Sequence, residues 1–266
     1  MKRTVILMIL AMFGLSACAT VPAKTDIAAY NEYKANNDPL EPMNRAIFGF
    51  NTAIDNGIVR PVVKAYNKTA PEPVRNGVTN FLRNLREPWT MINEILQGKP
   101  GDAIRTFSRF ALNTTLGIGG LNDLSHDKGM KYTEEDFGQT LGVWGVGEGI
   151  YLVLPGLGPS GLRDTVGIAA DFQYDPVGYA LDKQDWGNNF FLGIDASSWI
   201  HKSVEMFDWR ARNDSLLDEL YAQDDPYVTA RSAYRQKRKF EVSDGKDITS
   251  DEEEDMFDEE IEEWGN

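Results

Sequence analysis

Prolines in this chain fall where helices can begin, and apolar residues follow them at spacings of three and four. That combination limits the possible folds more than any other feature of the sequence. Proline lacks a backbone N–H and holds φ near the helical value, so it suits the first turn of a helix and disrupts later ones. Residues three or four apart share one helix face. Asp38-Pro39 marks a start, with Met43, Ile47, Phe50 and Ile54 on one face. Pro61 to Tyr66 gives a short helical turn. After Pro71 and Pro73, residues Val74, Val78, Phe81, Leu82 and Leu85 fall together. Pro88 is expected to open a separate segment with Met91, Ile92, Ile95 and Leu96. Pro100 opens one with Ile104, Phe107 and Ala111, and Asp225-Pro226 one with Tyr227, Ala230 and Tyr234. Strands and helices do not alternate, and no internal repeat is visible. The predicted fold class is all-α.

The N-terminus reads as a lipoprotein signal. Lys2 and Arg3 form a basic start, and Thr4 to Leu15 is an apolar run too short to span a bilayer. It ends at Leu15-Ser16-Ala17-Cys18, the bacterial lipobox, in which the cysteine is acylated and becomes the mature N-terminus. Cys18 is the chain's single cysteine, so no disulfide can form within a monomer. Ala19, in place of an aspartate that retains lipoproteins at the inner membrane, favours the outer one. Several acyl chains hold a protein durably where one does so reversibly. No later stretch is apolar enough for a transmembrane helix. The expected organisation is a signal peptide over 1–17, a lipidated tether over 18–37, a helical body over 38–241 and an acidic, disordered tail over 242–266.

Charge follows those divisions. The chain carries −14 overall, and twelve acids against one base lie from Asp244 onward. The body is nearly balanced and has no nucleic-acid footprint. The tail also carries Met256, Phe257, Ile261 and Trp264. Solvated disorder is the ordinary fate of such a segment. Phe257, Ile261 and Trp264 can nevertheless share a helical face, which makes them candidates for docking onto a basic partner.

Gly142 to Asp164 is apolar, glycine-rich and nearly uncharged. One reading is a buried loop or short hairpin. The other is a mobile element that gates a lipid path, with Gly142, Trp144, Gly145, Gly147, Gly149, Tyr151, Pro155 and Gly158 as its candidate residues. Trp144 and Tyr151 suit a membrane–water boundary. Gly156 to Gly161 matches G-x-G-x-x-G after a strand-like run, Tyr151 to Leu154. No βαβ unit surrounds it, and Pro159 removes a donor a phosphate would need, so nucleotide binding is rejected. His126 and His201 have no ligand partners at metal spacing. Ser125 or Ser160 with His126 offers only a weak hydrolase reading. No cofactor, metal or catalytic group is expected.

Asn37-Asp-Pro-Leu-Glu-Pro-Met-Asn-Arg-Ala-Ile-Phe-Gly-Phe-Asn51 resembles the opening signature of the VacJ/MlaA lipoproteins. The resemblance continues through Pro73-Val-Arg-Asn-Gly77, Asn80-Phe81, Glu87-Pro88, Asn93, Leu96-Gln97-Gly98, Arg109-Phe110 and Leu112-Asn113-Thr114. It runs on through Phe137-Gly138, Thr140-Leu-Gly142, Gly145-Val-Gly147, Leu154-Pro155 and Leu162-Arg-Asp164 to Asp225-Pro226-Tyr227 and Arg231-x-Ala233-Tyr234. The acidic end lies outside it. The resemblance implies a helical ring with a central channel, set in the periplasmic leaflet of the outer membrane. It implies a non-enzymatic role: strayed outer-leaflet phospholipids pass to a soluble periplasmic carrier, and trimeric porins are partners. The alternatives are a porin-associated structural scaffold and a lipid hydrolase.

Overall fold

The computed structural model describes residues 38–173 and 196–245. Cys18, Phe257, Ile261 and Trp264 lie outside them. Helix α1 (Glu41–Ile54) passes through one π-helical turn (Asp55–Val59) into α2 (Arg60–Thr69). The turn predicted at Pro61 is therefore part of a longer run. Helix α3 (Glu72–Leu96) continues through Pro88, and α4 (Pro100–Thr115) returns along it. Side-chain bonds pair Glu94 with Thr106, Glu87 with Arg109 and Asn84 with Thr114, so the two helices are antiparallel. Pro88 was expected to begin a helix and instead sits inside one. Packing of α3 against α4 holds the helix together across the missing hydrogen bond.

Helix α5 (Phe137–Val143) precedes a hairpin of β1 (Tyr151–Leu154) and β2 (Gly158–Gly161). The strands pair antiparallel, Tyr151 opposite Gly161 and Leu154 opposite Gly158. Pro155 and Gly156 occupy the middle of the turn, Gly156 with φ +76°, and Leu157 N–H donates to Leu154 C=O at 3.2 Å. Proline followed by a residue at positive φ is the chemistry of a type II turn. Helix α6 (Leu162–Gln173) leaves β2 directly. Then come α7 (Ala196–Arg212), α8 (Asp214–Tyr221) and α9 (Pro226–Val242). Asp225 caps α9 by accepting from Val228 N–H at 3.3 Å. At α5 the cap is Asp136, accepting from Gln139 N–H at 2.7 Å. Thr133, just ahead of α5, donates to Glu94 at 3.1 Å.

Polarity is inverted over much of this framework. The apolar cluster is small: Tyr151, Val153 and Tyr227, flanked by Ile47, Phe48, Val228 and Tyr234. The buried residues of α3 include Thr79, Asn84, Glu87, Thr90, Asn93 and Glu94, and those of α4 include Thr106, Arg109 and Asn113. The same helices expose Val74, Phe81, Ile92, Ile95, Leu96, Ile104 and Phe107. In water each large apolar side chain left exposed forgoes ~1.5–3 kcal/mol. A polar buried side and an apolar exposed side suit a non-aqueous surround.

Candidate functional site

The glycine-rich segment is held at three places, each by a polar side chain. Asn44 and Asn51 lie two turns apart on α1, so both carboxamides project to one side. Asn44 Nδ2 donates to Tyr151 C=O at 3.1 Å, and Val153 N–H donates to Asn44 Oδ1 at 2.9 Å. Asn51 Nδ2 donates to Leu154 C=O at 3.0 Å, and Gly156 N–H donates to Asn51 Oδ1 at 2.8 Å. Each carboxamide imitates a peptide unit, and together they close the free edge of β1 as a third strand would. Asn44 also donates to Asp38 at 2.7 Å. Buried Asp38 accepts from Tyr227 OH and, at 2.8 Å, from Arg231 on α9. Arg45 forks onto Asp225 at 3.0 and 2.8 Å and lies 4.4 Å over the Tyr227 ring. The Arg45 hydrogen bonds hold the Asp225 carboxyl below its ordinary pKa.

Arg238 of α9 pins the two feet of the segment. Its Nη1 and Nη2 reach Asp136 at 2.8 and 3.0 Å, ahead of α5. Its Nε and Nη2 reach Asp164, in the first turn of α6, at 3.0 and 2.9 Å. Arg163 and the Tyr234 hydroxyl also donate to Asp164. Burial alone would raise both carboxyl pKa values; the Arg238 hydrogen bonds and charge outweigh it and hold both below the usual range. Helices α5 and α6 approach through glycine. A Cβ on Gly167 would stand 2.4 Å from Gly138 N, so no larger residue fits there.

Between these fixed points lies an open arc. Gly142, at its base, is packed against Val242 and Arg163. Trp144 is 53% exposed, its indole N–H donating to Leu96 C=O at 2.9 Å. Among the described residues Gly145 and Gly147 have no neighbour within 4 Å of where a Cβ would stand, whereas Gly149 packs on Leu162. Glu148 pairs with Arg235 at 3.1 Å. Pro155 is exposed at the hairpin turn and Gly158, φ +84°, opens β2. Tyr151 departs from its boundary reading: it is fully buried against Tyr227 and Tyr234. The G-x-G-x-x-G match is simply this turn and β2.

A polar seam lines the buried side of α3. Arg109 pairs with Glu87 at 2.9 Å and Asp123 at 3.0 Å and donates to Met130 C=O. Burial pushes Glu87 up to about 7 despite that partner. Burial also acts on Asp123, but hydrogen bonds from Ser125, Arg109 and Asn113 hold it down at about 2. Asn84 Oδ1, Glu87 Oε2, Thr90 Oγ1, Glu94 Oε2 and, at the C-cap, Gln97 Oε1 follow one another along the helix, buried and without a hydrogen-bond partner among the described residues. Ser125 is enclosed by Asp123 and Asn113, and Ser160 bonds Gly161 C=O and Thr165. Neither serine is prepared as a nucleophile.

Sequence reasoning met Asn44, Asn51, Gly138 and Asp164 only as parts of the family resemblance, and gave neither them nor Asp136, Gly167 and Arg238 a role in the site. Asn44 and Asn51 reach the hairpin backbone more than 100 residues on, and Arg238 reaches Asp136 across 102 residues and Asp164 across 74, pairings that no local pattern encodes.

Polar clamps inside and apolar faces outside define a mostly helical protein of inverted polarity. The MlaA lipoprotein family model matches residues 36–241. The intermembrane phospholipid transport system lipoprotein MlaA of Escherichia coli K12 is 37% identical over 219 residues, covering 81% of this chain and 82% of that one. The protein of the same name from Haemophilus influenzae is 33% identical over 254 residues, covering 94% of each. A solved structure described as the structural basis for maintenance of bacterial outer membrane lipid asymmetry superposes with TM-score 0.61 at 38% identity, over 77% of this chain and 98% of that one. The chain belongs to the MlaA lipoprotein family.

Proposed function

We propose that this protein is a lipid-anchored outer-membrane component that clears phospholipid from the outer leaflet and so maintains lipid asymmetry. The observation that carries this reading is the inverted polarity of α3 and α4. A displaced phospholipid needs a path for its polar headgroup and an apolar surround for its acyl chains. Polar groups satisfied within the protein and apolar faces turned to the surround supply both. Exposed hydroxyls follow the same rule: Ser108 donates to Ile104 C=O and Thr115 to Ala111 C=O, so neither depends on water.

In this reading the body is a ring with a central channel, immersed in the periplasmic leaflet and tethered by acylated Cys18. The arc from Trp144 to Glu148 is the gate. Asn44, Asn51 and Arg238 fix its ends while the glycines leave its middle free. Phospholipid leaves to a soluble periplasmic carrier, and a trimeric porin is the partner in the membrane. No bond is made or broken, because a misplaced lipid returns down its own gradient.

The test is deletion of the gene followed by measurement of the phospholipid that an externally added phospholipase can reach. Accessible phospholipid should rise, and the wild-type copy should restore it. A chain that only scaffolds porins would leave it unchanged while altering porin assembly, and that outcome would reject the proposal.

A further inference from the structure

The loop after α4 is an apolar knuckle with no role in the gate. Between Arg109 and Asp123 the chain carries no charged side chain. Both flanking charges turn inward onto each other, Arg109 to Asp123. Leu116 and Ile118 are 67% and 69% exposed, and Leu121 and Phe81 are exposed beside them. Asn80 Nδ2 donates to Leu121 C=O at 3.3 Å, tying the loop to α3.

Two further observations indicate what surrounds it. Ile118 has φ +58°, a left-handed conformation that a β-branched side chain adopts only under strain. A strained and exposed isoleucine contributes little to the fold, and glycine would be the relaxed choice. The second is backbone satisfaction. Within the loop, Leu116 N–H and Gly117 N–H donate to Leu112 C=O, Gly119 to Thr114, Gly120 to Asn113, Leu121 to Ile118 and Asn122 to Gly117, so that of the seven N–H groups from Leu116 to Asn122 six have a backbone acceptor and Ile118 has none among the described residues. Irregular backbone facing hydrocarbon has to satisfy such groups internally. Gly117 and Gly120 allow this packing: a Cβ on Gly117 would stand 2.3 Å from Asn122 C=O, and one on Gly120 2.5 Å from the Asn84 side chain. At the other end of α4 stand Lys99, Asp102 and Arg105, so polarity falls along the helix toward the knuckle.

We infer that Leu116, Ile118 and Leu121 form a rigid wedge inserted in the acyl-chain region of the bilayer, and that this end of the α3–α4 pair points into the leaflet. The inference deepens the proposed leaflet immersion and rests on it. It assigns a direction of insertion and the side chains that set the depth.

The test places a nitroxide on the full-length chain through Ile118→Cys, Ile104→Cys or Ser232→Cys, in vesicles of phosphatidylethanolamine and phosphatidylglycerol. The parent chain, with Cys18 acylated, is the labelling blank. Oxygen reports hydrocarbon and a nickel chelate reports water. Position 118 should be oxygen-accessible, shielded from nickel and at least as deep as 104, with 232 in water. If 104 is immersed but 118 is in water, the wedge is wrong and leaflet immersion stands. If both are in water, immersion itself fails. A position 118 that is wet in pure lipid yet shielded in native outer membrane would assign the knuckle to a protein partner and overturn the inference. The second variant is Ile118→Gly. It should raise the melting temperature in detergent by about 2–4 °C while weakening vesicle binding of the unacylated chain. A fall in melting temperature would make Ile118 a structural residue and overturn the inference.

Discussion

Replacing Arg238 with methionine removes the guanidinium that joins the two feet of the glycine-rich segment and keeps most of its volume. Asp164 is then left as a buried carboxylate and Asp136 beside it as a partly buried one. Breaking a buried ion pair by removing one partner costs ~3–5 kcal/mol, chiefly because the remaining charge stays desolvated. Some compensation survives: Arg163 and Tyr234 still donate to Asp164, and Gln139 N–H to Asp136. The expected loss is therefore near the lower bound, about 3 kcal/mol, or roughly 6–12 °C in melting temperature. Its pH dependence identifies the cause. In the wild type both carboxyls have depressed pKa values. They contribute stability above the unfolded aspartate pKa of about 3.9, which is lost as pH falls through the lower folded values. In the variant, burial without the cation raises the folded pKa values. Lowering the pH toward about 3.9 then neutralises the carboxyls and restores stability. The gap between the two proteins should narrow on acidification. Denaturant unfolding in detergent at a series of pH values measures it. A gap below about 1 kcal/mol at pH 7, or one independent of pH, would refute electrostatic pinning.

Cys18→Ala should leave a folded body without its anchor; recovery of mature variant tightly bound to the outer membrane after fractionation would contradict that. Gly147→Pro should impair clearance of outer-leaflet phospholipid more than it lowers protein abundance, because open space surrounds that position. Equal loss of both would mark the arc as structural. Gly158→Val is the less selective change, since it forces a β-branched residue to φ +84°. Deleting the tail from Asp251 should slow association with the periplasmic carrier at low salt. Phe257→Ala with Trp264→Ala should instead quicken dissociation, and surface plasmon resonance separates the two.

What the sequence determined by itself is the local structure. Proline positions placed the starts of α4 and α9, and Pro155-Gly156 wrote the hairpin turn, because these effects act through one residue's own backbone. Periodicity gathered Ile104 and Phe107 of α4 on one exposed face, but it grouped residues that α1 and α3 divide: Ile47 packs on the apolar cluster while Phe50 and Ile54 are exposed, and Leu82 is buried while Val74 and Phe81 are exposed. It could not say which way a face points, since a period of 3.6 is the same whether a stripe faces a core or lipid. Only the packed structure showed Glu87, Glu94 and Arg109 buried and Ile104 and Phe107 exposed. Pro88 misled for a related reason: tertiary contacts along α3 outweigh the single hydrogen bond it removes. The clamp of Asn44 and Asn51 on the hairpin, and the Arg238 bridge from Asp136 to Asp164, join residues far apart in the chain. Each is an ordinary polar side chain with no local signature, and it acquires its role only where the fold brings its partner within hydrogen-bond reach.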